Sequence, residues 1–242
     1  MKEEIRRGAL YIVSTPIGNL DDITLRAIEI LRSVDLVAAE DTRKTRILLE
    51  HLGIGKPIVS YYSYNEQRRV PELLERLRRG ETVAVVTDAG TPGISDPAYA
   101  LLRSAIDDGR TIIPAPGASA LLAALVVSGL PMDRFVFEGF LPLKKGRRSR
   151  IEDLKEEQRT IVIYESPHRV ERTLDDLLSI LGDREVAVVR ELTKKFEEVE
   201  RGPISIVKDR IRKKTPRGEY VIVVSGTSFR IRQAAHPDDS QR

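Results

Sequence analysis

At 242 residues, with 41% hydrophobic and 32% charged side chains, the chain has the composition of a globular protein with room for one large domain or two ordinary ones. The absence of cysteine excludes disulfides, thiol catalysis and thiolate metal sites; the three histidines, His51, His168 and His236, lie too far apart to form a local metal motif, so no metal is expected. A net charge of +3 does not by itself point to a polyanionic partner, no apolar run reaches the roughly 18 residues of a membrane span, and the opening MKEEIRRG has no apolar signal core, so a cytoplasmic protein is expected.

Strands and helices alternate from the start. Residues 9–14 (ALYIVS) read as a first strand that breaks into the loop TPIGNLDDIT; Thr24 then caps a helix whose Leu25, Ile28 and Leu31 recur about once per turn. A short strand over 36–39 closes with Glu40, Asp41, Thr42 and Arg43, and the helix that follows runs to His51 before Gly53 and Gly55. Residues 57–60 suggest a third strand leading into YYSYNE, where Asn65 caps a helix carrying Val70, Leu73, Leu74 and Leu77 on one face and ending at Gly80. The next stretch, VAVVTDAGTPGISDP over 83–97, is a buried strand delivering a Gly- and Pro-rich loop. Gly90 and Gly93 permit backbone geometries, or a close ligand approach, that a Cβ would block. Asp96 and Pro97 read as the N-cap and first residue of a helix running to about Asp108, before a strand over 111–114 and the loop PAPGASA.

After Gly117 the helical stretch ASALLAALVVSGL is apolar nearly all round, as suits a connector buried between layers, and Gly129 and Pro131 end it. A second α/β run follows: a strand over 135–139, the basic loop FLPLKKGRRSR, and a charged helix opened by Ser149 and carrying Ile151 and Leu154. The strand TIVIY over 160–164 ends in ESPHR. Val170, Leu174, Leu177, Leu178 and Leu181 then mark an amphipathic helix that stops at Gly182. A strand over 185–190 ends in ELTKKFEE, and a strand over 219–225 closes the domain; the tail from Thr227 lacks periodicity and is expected to fray. The expectation is two α/β domains, 1–117 with a largely parallel sheet and 118–226 with a mixed sheet, followed by a tail over 227–242.

The chemistry is concentrated at strand ends. Open α/β sheets bind ligands outside the carboxyl ends of their strands, and if the two sheets face each other these loops converge on one cleft. The loops TPIGN, TDAGTPGISDP and PAPGASA are built of small residues, whereas YESPHR and RELTKK are charged. That division suggests a cofactor held by backbone groups on one side and reactive groups on the other. There is no GxxxxGK[ST], no GxGxxG after the first strand and no GxSxG elbow, and Ser166 with His168 and a distant Asp is a triple that any α/β chain offers.

Taken together and in this order, STPIGNLDDITLRA, AEDTR, TDAGTPGISDP, PAPGASA, YESPHR and RELTKKFEE resemble the tetrapyrrole (corrin/porphyrin) methylase superfamily, and within it the branch that modifies ribosomal RNA. The resemblance runs over about 8–226. It implies a homodimer of two-domain α/β subunits of the tetrapyrrole methylase type, with S-adenosylmethionine folded into the cleft between the domains. It further implies methyl transfer to the ribose 2′-hydroxyl of a cytidine in the decoding region of 16S ribosomal RNA, as naked RNA or in the assembled 30S subunit. Corrin-modifying members carry a Gly-Pro-Gly-Asp-Pro type loop after the first strand, where this chain has Thr15, Pro16, Ile17, Gly18 and Asn19; that departure favours the RNA branch. The alternatives are a relative acting on a small molecule such as a tetrapyrrole, or on a protein, and a non-catalytic RNA-binding protein on the same fold.

The resemblance assigns Pro16, Asp88, Ala89, Gly90, Ile94, Ser95, Asp96, Ala118 and Ser119 to the cofactor, and a loop-capping carboxylate is the other reading of Asp88. A ribose hydroxyl is a poor nucleophile until its proton is removed or its developing charge stabilised, which directs attention to the charged strand ends. There Glu165 or Lys194 is the candidate for handling the proton, and Arg169 or Arg190 for holding a phosphate. His168 is a base by its ordinary pKa or simply a helix cap, and Glu191 an ion-pair partner for Lys194 or Lys195. Lys144, Lys145, Arg147, Arg148 and Arg150 form a cationic loop that, with Arg169, suits RNA phosphates; Arg210, Arg212, Lys213, Lys214 and Arg217 form a second cluster, and a solvated charged surface is the plain reading of both. Tyr61, Tyr62 and Tyr64 are candidates for stacking on a base, with at least one expected to face the core.

Overall fold

In a parallel sheet covered on both faces every strand residue is buried, and the runs LYIV, LVAA and VAVV are buried at each position. A computed structural model describes residues 5–229, so the expected fraying of the tail lies, beyond Phe229, outside the described residues. The chain forms two compact units, Met1–Ala123 with Glu191–Glu197, and Ala124–Arg190 with Glu198–Arg242. Residues 191–197, the ELTKKFE segment read from sequence as part of the second domain, therefore group with the first unit.

The first unit is a five-stranded sheet of β1 (Leu10–Val13), β2 (Leu36–Ala39), β3 (Ile58–Ser60), β4 (Val83–Val86) and β5 (Ile112–Ala115), in the order β3-β2-β4-β1-β5. Every pairing is parallel. Tyr11, Val13, Val37 and Val86 pack with residues of α1 (Leu25–Ser33) and α2 (Thr42–His51), among them Ile30, Leu31 and Leu49. The alternate residues Leu10, Ile12, Leu36, Val83 and Val85 pack with Leu73 and Leu77 of α3 (Glu66–Arg78) and Leu101 of α4 (Tyr99–Asp107). Each such fully buried side chain contributes about 1.5–3 kcal/mol.

Local signals mostly act as the sequence implies. Thr24 accepts from Ala27 N, and Asp41 caps α2 by accepting from Arg43 N. Asn65 stands at the N-cap of α3 but spends its carbonyl on Tyr62 N instead. Asp96 does not cap α4. Gly90, Gly93 and Ser95 all have positive φ (87°, 88° and 69°), and this loop does not enter the helix until Ala98, leaving Asp96 partly buried in the turn.

The chain passes into the second unit within α5 (Ala120–Ser128). This helix is apolar all round but buried on one side only: Ala124, Leu125 and Ser128 are covered, whereas Leu122 and Val126 are exposed. The second sheet comprises β6 (Phe135–Phe140), β7 (Thr160–Glu165), β8 (Glu185–Arg190), β9 (Glu198–Pro203) and β10 (Tyr220–Val224), in the order β6-β7-β10-β8-β9. Only β6 and β7 run parallel, so the sheet is mixed. One face is covered by Ile151 of α6 (Arg147–Glu152), Leu174 and Leu177 of α7 (Val170–Leu181), and Val207 and Ile211 of α8 (Ile204–Arg212). α6 starts at Arg147 after a left-handed Gly146, not at Ser149. β9 and α8 carry little sequence signal: EVERGP is a partly exposed edge strand, where a terminal proline breaks no ladder, and the helix after it is short. Among the described residues no helix is long and apolar enough to cross a membrane.

The exit from β10 passes tightly under residue 158. Thr227 N donates to Glu157 O at 2.9 Å, Ser228 Oγ donates to Gln158 O at 2.7 Å, and a Cβ on Gly226 would lie 1.9 Å from that same carbonyl. Gly226→Ala is therefore expected to destabilise the protein by about 1–3 kcal/mol, whereas Gly55→Ala, where a Cβ meets open space, stays within about 0.5 kcal/mol. Urea unfolding midpoints measure both, and equal midpoints would refute the tight approach at residue 226.

Candidate active site

The crossovers leaving β1 and β4 run apart: β1 leads through α1 to β2, and β4 leads through α4, on the opposite face, to β5. Their carboxyl ends lie side by side at the kind of switch point where open α/β sheets hold ligands. An isolated bridge ties the two exits, Thr15 N to Gly90 O at 2.9 Å and Gly90 N to Thr15 O at 3.1 Å, while the buried Thr15 hydroxyl donates to Thr87 O at 3.0 Å. Ser14 Oγ and Thr91 Oγ1 are hydrogen-bonded at 2.8 Å. The β5 exit closes on the same place: a Cβ on Gly117 would lie 2.9 Å from Ser14 Cβ, and one on Gly90 would lie 3.5 Å from Ile17 Cγ2 and 3.7 Å from Ala118 O. Pro16 is buried beneath this frame, Gly90 is buried in it, and Ala89, Ile94 and Ser95 are exposed on its rim. The result is a shallow cradle of small residues with backbone groups presented at its surface.

Carboxylates line one side of it. Asp88 Oδ1 accepts from Asp41 N at 3.0 Å, and its Oδ2 pairs with Lys44 Nζ at 2.7 Å. Glu40 accepts from the Thr87 hydroxyl at 2.6 Å. Among the described residues Asp96 has no such cation: burial, with the Glu40 and Asp88 carboxylates nearby, pushes it up to about 6. Among the described residues no group of three or more His, Asp or Glu is arranged to hold a metal ion. Glu40, Asp41 and Lys44 are absent from the sequence-derived site, although Glu40 and Asp41 fall in its AEDTR motif; the position of those two at the end of β2 was the available signal.

Residues 191–197 bring the candidate Lys194 to this unit. Glu191 and Thr193 are held at positive φ (52° and 65°), a conformation costly for residues with a Cβ. Lys194 Nζ pairs with Glu191 Oε1 at 2.9 Å, as expected from sequence. The segment lies directly on the β1 exit: a Cβ on Gly18 would fall 2.5 Å from Lys194 Cγ and 2.9 Å from both Leu192 O and Thr193 Oγ1. Thr193 Oγ1 is itself buried without a hydrogen-bond partner.

In the second unit the charged candidates separate. Glu165 is no surface base; its side chain is fully buried, accepting from the Thr173 hydroxyl at 2.6 Å and Ser166 N at 2.8 Å, with Arg169 Nε at 3.2 Å and Arg147 Nη1 at 3.9 Å. Arg147 is likewise not part of an exposed patch. Its guanidinium is buried, donating to Asp176 Oδ2 and Thr173 Oγ1 at 2.7 Å and to Pro142 O at 3.3 Å. Arg169 turns inward to Leu141 O at 2.5 Å. The network is satisfied throughout, and breaking a buried pair of this kind costs about 3–5 kcal/mol. It pins the loop after β6 to β7 and α7, a structural task that the RNA-phosphate reading of Arg147 and Arg169 overlooked.

The remaining cations are exposed or paired. Lys144 and Lys145 are exposed, Arg148 pairs with Glu152 and Arg150 with Glu138. In the second cluster Arg210, Arg212 and Lys214 pair with Glu200, Asp175 and Glu198 respectively, which removes most of its net charge. Arg190 lies 3.8 Å from Glu198, with its Nε buried and unbonded. His168 is exposed in the turn before α7, whose N-cap is Arg169, so it does not cap that helix. Ala118 and Ser119 lie half-buried just before α5. Tyr61 is the core-facing tyrosine, donating its hydroxyl to Glu66 Oε1 at 2.7 Å.

The family model of the tetrapyrrole (corrin/porphyrin) methylases matches residues 9–207. The chain is 48% identical over 226 residues to the ribosomal RNA small subunit methyltransferase I of Halalkalibacterium halodurans, covering 93% of this chain and 78% of that protein. It is 49% identical over 219 residues to the protein of the same name from Thermotoga maritima, covering 90% and 99%. The solved structure of cobalt precorrin-4 methyltransferase, a cobalamin biosynthetic enzyme, superimposes with a TM-score of 0.63 at 19% identity, over 92% of this chain and 98% of that one, a likeness of fold. A family match that covers the whole first sheet and four of the five strands of the second, with the cradle at the β1, β4 and β5 exits inside it, makes this chain a member of the tetrapyrrole (corrin/porphyrin) methylase family.

Proposed function

We propose that the chain is an S-adenosylmethionine-dependent methyltransferase of small-subunit ribosomal RNA, acting as a homodimer on the 2′-hydroxyl of a cytidine in the decoding region. The observation that carries this reading is near-half identity, over nine-tenths of the chain, to proteins named as methyltransferases of small-subunit ribosomal RNA. The cradle fits the cofactor: small residues leave room for a nucleoside, and the carboxylates of Asp88 and Asp96 suit its cationic groups. Bound there, S-adenosylmethionine supplies a methyl group already activated by its sulfonium.

The protein's part is then to bind, align and stabilise charge, and alignment alone is worth roughly 7–11 kcal/mol. Pro16, Ala89, Gly90, Ile94, Ser95, Ala118 and Ser119 form the walls of the proposed cofactor site, and Asp88, fixed by Lys44 and Asp41 N, is preset to accept hydrogen bonds. Lys194 is placed by its strained segment against the β1 exit, where its ammonium is suited to stabilise the negative charge developing on the acceptor oxygen. Glu165, buried and saturated, acts by holding the Arg147 and Arg169 network rather than by taking a proton.

Labelled S-adenosylmethionine incubated with small subunits from cells lacking the protein is expected to label one ribose 2′-oxygen, located by mapping the labelled nucleotide; label in a small molecule or a protein instead would overturn the RNA reading. Lys194→Ala is expected to lower kcat roughly 100-fold with cofactor Kd unchanged, and a change confined to Kd would remove Lys194 from the chemistry. Because Asp96 titrates at about 6, its carboxylate is charged above that pH and neutral below it. Affinity for the cationic cofactor should therefore fall as pH drops through 6, and in calorimetry Asp96→Asn should bind more weakly at neutral pH with a flattened profile.

A further inference from the structure

The turn after β3 is anchored more firmly than its surface position requires. Tyr61 N donates to Ala39 O at 2.7 Å, continuing the β2–β3 pairing by one residue, and its ring is buried. Asn65 then closes the turn: Oδ1 accepts from Tyr62 N at 2.9 Å, Nδ2 donates to Ser60 O at 3.1 Å, and its own N–H donates to Tyr62 O at 2.9 Å. What this turn displays is aromatic. Tyr64 is 96% exposed and Tyr62 41% exposed, with ring centroids 6.4 Å apart and planes at 61°. In that edge-to-face arrangement the two rings touch while the Tyr64 side chain stays open to solvent.

The position of the pair matters as much as its exposure. The residue after Ala39 is Glu40, followed by Asp41, whose N–H binds Asp88. The tyrosine turn thus leaves the same carboxyl edge as the cradle, one strand beyond β2. The exposed Arg46 and Arg68 stand on the two helices that begin at this edge, near Arg43, whose guanidinium is held by Asp41.

We propose that Tyr62 and Tyr64 form a stacking platform for an unpaired base of the RNA substrate, with Arg46 and Arg68 attracting the adjoining phosphates. This inference rests on the RNA reading of the cradle and adds where the acceptor strand is gripped. Aromatic stacking tolerates any base, so the platform contributes grip rather than sequence choice, and the cations contribute salt-dependent affinity.

The test is steady-state methyl transfer to small ribosomal subunits, paired with anisotropy binding of a labelled single-stranded cytidine-rich oligonucleotide. Tyr62→Ala with Tyr64→Ala is expected to raise KM for subunits and Kd for the oligonucleotide about tenfold or more, leaving kcat and cofactor Kd unchanged. The double phenylalanine variant, which keeps both ring faces, should behave as the unaltered protein. Tyr64→Ala alone, at a side chain with almost no packing to lose, should show part of the defect without a shift in Tm. Unchanged KM and Kd in the double alanine variant, or equal defects in the alanine and phenylalanine variants, would overturn the platform alone. Failure of the unaltered protein to methylate any RNA would overturn the RNA reading and the platform with it.

Discussion

Everything in the first unit turns on two reciprocal backbone hydrogen bonds, Thr15 to Gly90 and back. The exits of β1 and β4 both lose their ladder partners at the same level, and buried backbone groups must find others. By satisfying each other they clamp two irregular loops into one frame, and the Thr15 hydroxyl extends the clamp to Thr87 O. Gly90 is called for here by its φ of 87°, which side chains rarely adopt, since a Cβ would make only ordinary contact with Ile17 and Ala118. A surface built from main-chain groups held this way is suited to a ligand with many weak polar contacts.

The two units use charge differently. In the first, Asp88 and Asp41 are fixed by nearby cations and amides at the sheet edge, while Asp96 has no compensating cation among the described residues. In the second, Glu165, Arg147 and Thr173 close upon one another in the interior, and only Asp176 at the network's edge reaches solvent. Buried networks of this sort specify geometry more than they add stability. What this one fixes is the course of the loop carrying Lys144 and Lys145, which leaves those two lysines outside at its turn.

Strand and helix positions were legible because burial on both faces, or on one stripe, writes itself directly into residue type: LYIV, VAVV and the leucines of α7 could take few other forms. The loop motifs likewise marked the cradle, since glycine, proline and small hydroxyls are needed for close approach. Charged residues were harder to read. An arginine in a basic run looks the same whether it faces water or a carboxylate some 30 positions away, as Arg147 faces Asp176. Equally, no periodicity announces an edge strand such as β9, half-exposed and rich in charge. Asp96 was misread as a cap because a sequence shows the Asp-Pro pair but not the left-handed Ser95 before it.

The segment Glu191–Glu197 also bears on how the molecule is made. Although it completes the first unit, it is encoded between β8 and β9 of the second sheet. A ribosome therefore delivers the β1, β4 and β5 exits long before it delivers Lys194, with α5, β6, β7, α7 and β8 synthesised in between. The nascent first unit has its cradle but lacks the segment that rests on Gly18. Assembly of the lysine into its place is thus coupled to synthesis of most of the second sheet, so that a chain halted partway carries the cradle loops without the lysine proposed to act beside them.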